Sequence, residues 1–342
     1  MAVTWISNKE TPYDVWVSNR RKTIGASEIA AIVFGSKWTS NLEIWTDKVM
    51  GVQPKVQNIR MFLGTQTEDL TASMWEFYDG TEQSVVDNAK KGNKIKECYN
   101  NYSTIYNDKW PHLSATPDRI IKPVGKYAGR KGEGFLEIKN TMGFLLKSYE
   151  AGLPPENVVQ LVAQMMLGEA EYGSLFYFVD NSRFEEHCLE AATTKKVQRL
   201  IIDSTTEFWD SVLKARKIYN NIFEAKRNYN FKLASELEIE MARLEPPAQT
   251  SSGYLNFLTE RYRDRVANIG MVKGDTDQLM LAREHRKTCA AIKKQEQKKM
   301  ELEIKLKLAI KENVVLDFGK DGKITYYANK NGSRLLNTKF IK

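Results

Sequence analysis

Residues 115–140 read ATPDRIIKPVGKYAGRKGEGFLEIKN, and two short pieces of this stretch decide the fold. ATPDRIIKP and GFLEIKN are β-branched or aromatic segments bounded by Gly, Pro and Asn, which is how strands read. The basic, glycine-rich GKYAGRKGEG between them reads as a turn or loop. Strand periodicity puts Glu137 and Lys139 on one face and turns Ile138 to the other. If the two strands pair, Asp118 converges on the face of Glu137 and Lys139. Two carboxylates and a lysine so grouped suit phosphodiester hydrolysis. Their hard oxygens hold Mg²⁺ or Mn²⁺, which polarises the phosphate and lowers the pKa of an attacking water. A lysine beside the site orients that water and offsets charge developing at phosphorus.

Working outward, residues 11–50 read as helices, with Ser40 and Glu43 spaced as a capping box and Leu42, Trp45 and Val49 on one face. Residues 57–79 place Ile59, Met61, Phe62, Leu70, Met74 and Phe77 at helical spacing. Gly64 inside that pattern marks close approach of another backbone. SVVDN (84–88) and YSTIYND (102–108) read as strands. Helices are expected around 144–151 and over 155–170, then SLFYFVD (174–180) as a buried strand and a long helix from about 194 to 225. Helix, strands, helix and strand in that order give an α/β arrangement with a mixed sheet. Beyond residue 216 the helical stretches 231–245 and 282–313 flank Pro246-Pro247 and a Ser/Gly patch. MELEIKLKLAI (300–310) alternates as a strand would, but its Glu, Lys and Leu content favours helix. NVVLDFGKDGKITYYAN (313–329) reads as a hairpin turning at Asp321-Gly322.

The 342 residues, 42% of them hydrophobic, can bury a core without disulfide or metal staples and are enough for two domains. The net charge of +8 is unevenly spread. Residues 1–215 carry 25 basic and 27 acidic side chains, whereas residues 216–342 carry 26 and 16, a net of +10. The expected division is therefore 1–215 as the chemical domain and 216–342 as a basic helical extension with a terminal hairpin. That excess reads as a DNA- or partner-contacting region, against the plainer reading of the 283–299 run as a solvated helix face. Cys98, Cys188 and Cys289 are scattered, odd in number and without a CxxC pair, which fits a reducing compartment. No apolar run approaches 18 residues and the first ten lack a signal peptide's apolar core, so a cytoplasmic protein without membrane contact is expected. Trp38, Trp45, Trp75 and Trp110 read as core residues and His112 as structural.

Three further segments join the strand motifs: RRKTIGASEIAAIVFG (20–35), LGTQTEDL (63–70) and QLVAQMMLG (160–168). The five motifs, in this order over roughly residues 13–180, resemble the YqaJ-type viral recombinase family. That family includes the phage lambda exonuclease and lies within the PD-(D/E)xK nuclease superfamily. The resemblance implies an α/β, restriction-endonuclease-like core, a central mixed sheet flanked by helices, with a helical C-terminal extension ending in a β-hairpin. It implies Asp118 and Glu137 as metal ligands with the backbone carbonyl of Ile138, Glu68 as the helix glutamate, and Lys139 as the catalytic lysine. The family glutamine matches Gln164, with Gln160 one turn earlier as the alternative. Arg20 and Ser27 match the pair that brackets a terminal 5′-phosphate, Arg21 being the neighbouring alternative to Arg20 and Thr116 a further hydroxyl. Arg119 stands where a glycine is common.

The activity implied is a Mg²⁺-dependent 5′-to-3′ exonuclease on linear double-stranded DNA, with Mn²⁺ as the alternative ion. It would work as a trimeric ring, in the host cytoplasm if phage-encoded, and hand 3′ single strands to a single-strand annealing protein. No GxxxxGK[ST] loop is present, so ATP is not expected to be needed. The rivals are a structure- or sequence-selective endonuclease on the same fold, and a DNA-binding recombination module with a degenerate site. Intact Asp118, Glu137 and Lys139 speak against the second.

Overall fold

The computed structural model describes residues 2–51, 59–143, 153–263, 273–311, 314–321, 323–328 and 334–337. The chain divides into two units, Met1–Val266 and Ala267–Lys342. The first unit opens with β1 (Val3–Ser7), α1 (Tyr13–Arg20), β2 (Ile24–Gly25), α2 (Ala26–Phe34), α3 (Asn41–Met50), α4 (Ile59–Phe77) and α5 (Glu82–Lys91). Its strands follow as β3 (Cys98–Asn100), β4 (Ser103–Asn107), β5 (Leu113–Ser114), β6 (Arg119–Ile121) and β7 (Gly134–Thr141). Then come α6 (Pro155–Gly168), β8 (Tyr172–Val179), β9 (Arg183–Glu190), α7 (Lys195–Arg227), α8 (Phe231–Ala242) and α9 (Ser252–Arg263).

The main sheet has the order β3-β6-β7-β8-β9, parallel only between β7 and β8. Parallel strands need a crossover, and α6 lies in the connection between these two. The helix seats closely because Gly168 at its end lacks a side chain: a Cβ there would stand 2.3 Å from the Phe135 ring of β7. In register, Glu137 opposes Leu175 and Lys139 opposes Tyr177, while Ile138 opposes Phe176. The alternation sorts the two faces into two cores. Leu175, Tyr177 and Val179 pack with α2, α3, α6 and α7, and Leu136, Ile138, Tyr172 and Phe176 pack with Trp75 and Tyr78 at the end of α4. Helix on both faces of a mixed sheet is the layered arrangement the sequence pattern predicts.

Several local expectations change. SVVDN lies inside α5, not in a strand. The Thr81 hydroxyl accepts the Ser84 N–H at its start, Gly92 closes it in the left-handed conformation, and Glu82 and Lys90-Lys91 suit the helix dipole. A Cβ at Gly64 would meet nothing within 4 Å among the described residues, so none of their backbone approaches there. Trp45 and Trp75 are core residues as expected, but Trp38 is 74% exposed. Ser40 caps α3 through the Glu43 N–H, while the Glu43 carboxylate takes the Thr39 hydroxyl. The helix expected near 144–151 lies outside the described residues. Residue 215, where a domain boundary was expected, falls within α7, a helix unbroken from Lys195 to Arg227. The first unit continues to Val266 because α8 packs on α7 and α9 on α3, burying Met241 in the first core.

In the second unit, α10 (Thr276–Ile310) begins at a capping box between Asp275 and Gln278 and includes 300–310, the stretch whose alternation mimicked a strand. β10 (Val315–Asp317), β11 (Lys323–Ala328) and β12 (Arg334–Asn337) form an antiparallel sheet, so the expected hairpin has a third strand; Gly322 lies outside the described residues. Among the described residues no helix is long and apolar enough to cross a membrane.

Candidate active site

Strand β7 presents Glu137 to α6. The carboxylate is 1% exposed and fully engaged: Oε1 accepts from Lys139 Nζ and Gln160 Nε2, and Oε2 from Gln164 Nε2, each at 2.6 Å. Both candidate glutamines therefore act on one carboxylate. Their four-residue spacing puts them on the same helix face. Lys139 Nζ also donates to Gln160 Oε1 at 3.1 Å. Burial lowers the proton affinity of Lys139, but the charges of Glu137 and Asp118 outweigh it and hold the ammonium above its ordinary pKa. Gln164 is fully buried, and its Oε1 has no hydrogen-bond partner among the described residues.

Asp118 sits just before β6, and its Oδ2 accepts the backbone N–H of Ile138 at 2.8 Å. The strand pairing expected from the sequence thus brings Asp118 to the Glu137–Lys139 face. Burial, then the negative charge of Glu137, raises the Asp118 carboxyl well above the usual carboxylate range; Glu68 adds to this, and Lys139 and the Ile138 N–H oppose it. The residue that departs from the family pattern, Arg119, has a distinct task here. It lies buried in β6, donates Nη1 to Glu68 and to the Asp118 carbonyl (2.6 Å), and reaches Asp69 with Nη2. Glu68 is consequently paired with a guanidinium at the edge of the cluster.

The donor chemistry fits a hard divalent cation. Asp118 and Glu137 are two mutually repelling carboxylates, and Lys139 compensates only one of them. Among the described residues no three His, Cys, Asp or Glu side chains group closely enough to hold an ion by themselves. The set the protein would offer is thus the two carboxylates and the backbone carbonyl of Ile138, the residue after Glu137.

A cavity of about 200 Å³ adjoins α6. Gln160 and Gln164 line it together with Arg20, Ser27 and Thr116, so residues from several of the motifs meet there. Ser27 is the second residue of α2, in the first turn, where backbone N–H groups lack intrahelical acceptors and the dipole is positive. Arg20 lines the cavity, its guanidinium 4.9 Å from the Trp16 ring centroid. Arg20 also lies 3.7 Å from the Glu28 carboxylate, and Arg21 donates Nε to Asp47 at 3.0 Å. Thr116 shares a hydroxyl contact of 3.1 Å with Thr104, another lining residue.

Sequence reading missed what stands behind this cavity. Lys48, buried in α3, donates Nζ to the Arg20 carbonyl (2.9 Å) and to Glu28, and Glu28 accepts the Gly25 N–H at 2.8 Å. Arg216 of α7 holds the carbonyls of Arg21 and Lys48. Of these, only Glu28, next to Ser27 in GASE, lay within a motif. Asn8, Trp16 and Asn19 also line the cavity. The four-residue step from Trp16 to Arg20 on α1 was a usable signal for Trp16. His112 is structural, its Nε2 3.1 Å from the Thr205 hydroxyl of α7.

Residues 15–171 match the model of the YqaJ-like viral recombinase domain. YqaJ of Bacillus subtilis, itself an uncharacterized protein, is 27% identical over 209 residues, 60% of this chain and 58% of that relative. This chain thus spans less than two thirds of that relative's length. The alkaline exonuclease LHK-Exo of Laribacter hongkongensis has a TM-score of 0.43 at 16% identity, with 61% of this chain and 98% of that chain covered. A phage-related exonuclease from Haemophilus somnus gives 0.38 at 9% identity, covering 58% and 98%. By the domain match and the motifs within it, residues 15–171 are similar to the YqaJ-like viral recombinase domain.

Proposed function

We propose that this chain is a metal-dependent, ATP-independent exonuclease that degrades the 5′ strand of linear duplex DNA. It leaves 3′ single strands for recombination by strand annealing. One observation carries the reading: Gln160 and Gln164 bond Glu137 and also line the cavity shared with Arg20, Ser27 and Thr116. A carboxylate cluster and an anion pocket are thereby joined through two side chains.

Asp118, Glu137 and the Ile138 carbonyl would hold Mg²⁺ or Mn²⁺, with Glu68 a lesser contributor because Arg119 already pairs with it. Such an ion, when bound, supplies an acidified water and neutralises charge on the phosphate. Lys139 remains protonated between Glu137 and Gln160, so it acts as a fixed positive charge and hydrogen-bond donor to the phosphate or to the water. Arg20 offers a planar two-pronged donor to a terminal phosphate, and Ser27 adds a hydroxyl at the positive end of α2. A pocket for a phosphate monoester makes cleavage depend on a chain end. A trimeric ring around the duplex and an annealing partner complete the proposal.

The test is digestion of linear duplexes bearing a 5′-phosphate or 5′-hydroxyl, beside a covalently closed circle, in Mg²⁺ and in EDTA. The expected result is mononucleotide release from the 5′ strand, fastest with the 5′-phosphate, an intact circle, and no digestion in EDTA. Arg20→Ala should narrow the difference between the two linear substrates. Cutting of the circle would establish the endonuclease reading instead, and DNA binding without digestion of any substrate would leave a binding module.

A further inference from the structure

Helix α10 holds its charges in an unusual order. At 3.6 residues per turn, Arg283, Arg286, Lys287, Lys293, Lys294 and Lys298 fall within one arc of about 140°. Neither acid of this stretch, Glu284 or Glu296, lies on that arc. The opposite side is mixed, with His285, Ile292, Glu296 and Lys299. All six cations are exposed, and none forms an ion pair among the described residues. The stripe runs about 22 Å along the axis at 1.5 Å per residue.

This order costs the helix stability. Arg283 with Lys287 and Lys294 with Lys298 are like charges four residues apart, which repel on a helix surface. Only Lys307 and Glu303, near the other end, form an i,i+4 ion pair among the described residues of α10. A helix that lines up unpaired cations on one side is relieved by a partner presenting regularly spaced negative charge. Duplex nucleic acid does so, with one charge per about 1.7 Å of axis. We propose that this face of α10 binds the phosphate backbone of double-stranded DNA without reading its sequence. The assignment concerns the second unit and is independent of hydrolysis by the first.

The experiment compares the full chain with a variant carrying Arg283→Gln, Arg286→Gln, Lys287→Gln, Lys293→Gln, Lys294→Gln and Lys298→Gln. Glutamine has nearly the helix propensity of lysine, and circular dichroism checks that helix content is kept. Binding of a labelled 30-base-pair duplex is followed by fluorescence anisotropy in EDTA from 50 to 300 mM salt, with the duplex checked intact afterwards. A plot of log affinity against log salt should be shallower in the variant, by about 0.9 for each phosphate no longer neutralised. Affinity at 100 mM salt should fall at least tenfold. A second variant with only Lys293, Lys294 and Lys298 replaced should show about half the change in slope, which keeps the test valid if the larger variant loses helix. Unchanged slope and affinity in both would overturn the proposal. So would equal or tighter binding of single-stranded DNA of the same length that weakens with the same substitutions. A chain that shows the slope change yet never digests DNA would refute the hydrolytic reading and leave this one standing.

Discussion

The main sheet buries a glutamate–lysine pair on each face, and the two pairs differ in what surrounds them. Glu137 and Lys139 face α6 beside Asp118, so the group holds two carboxylates against one lysine. Glu186 of β9 faces the other core. It accepts from Lys96 (3.0 Å), Lys126 (3.1 Å), Trp75 Nε1 (2.6 Å) and Ser174 Oγ (3.1 Å). Here two lysines meet one carboxylate. Burial works against the Glu186 charge, but Lys96 and Lys126 still hold its carboxyl below the ordinary range, whereas Asp118 is raised well above it. Lys96 is enclosed as well, its Nζ 4.5 Å from the Trp75 ring centroid. A buried ion pair is therefore not a mark of catalysis by itself. What distinguishes the Glu137 side is surplus negative charge joined to a cavity.

That contrast can be broken by substitution on either face. Lys139→Ala is expected to lower the rate of DNA digestion by the folded protein about 10²- to 10³-fold. Glu186→Gln should leave the rate of the folded protein near that of the parent. If Glu186→Gln proved as inactive as Lys139→Ala while folded, the functional distinction between the faces would disappear. Stability should respond on both faces, because each substitution strands a buried partner. Removing the Glu186 charge strands a buried Lys96, for which a loss of about 3–5 kcal/mol by denaturant unfolding is expected. Adding Lys96→Met to that variant should recover part of the loss, and a purely additive double variant would show the two groups uncoupled.

A pH series sharpens the same comparison. Burial lowers the pKa of Lys96 from 10.5 to about 8. From about pH 8 to 10.5 the unfolded chain holds this proton and the folded protein has released it, so the Lys96 contribution to stability rises with pH. The unfolding free energy of the parent relative to Lys96→Met should climb over that window. A flat or falling difference would contradict it. The smallest expected effect is chemical. Burial and the Glu76 charge push the Cys98 thiol, beside the Glu186 core, up to about 12, while Cys188 and Cys289 are exposed. Iodoacetamide at pH 8 should label the folded protein at two cysteines and leave Cys98 to react only after unfolding.

The reading from sequence succeeded where chemistry follows a local period. Glu137 and Lys139 share a face because strands alternate, and Gln160 and Gln164 because helices repeat every 3.6 residues. Ser27 falls at a helix start because Gly25 breaks the run before it. It failed where neighbouring forces competed: the two valines of SVVDN carry a strand preference that Thr81 and Gly92 override as caps. It was silent on pairings of long sequence separation. The link from Arg119 to Glu68 spans 51 residues, and Lys96 to Glu186 spans 90. Such pairings leave no periodic trace in the residues that make them.

One distant pairing of this kind bears on how the protein is made. Gln249 donates Nε2 to the carbonyls of Ala31 and Ile32 at the end of α2, and its Oε1 accepts the Asn41 N–H. Nearby, the Gly253 N–H donates to the Ser36 carbonyl, in a space where a Cβ would stand 2.4 Å from that oxygen. During synthesis the helix that carries Ser27 therefore emerges more than 200 residues before the segment that closes its far end. A nascent chain that stops anywhere short of residue 249 lacks this side-chain clasp, and the Ala31 carbonyl keeps only the Gly35 N–H. The far end of the helix that carries Ser27 is thus finished late in the life of the chain, and a fragment trimmed to residues 15–171 would lack that clasp.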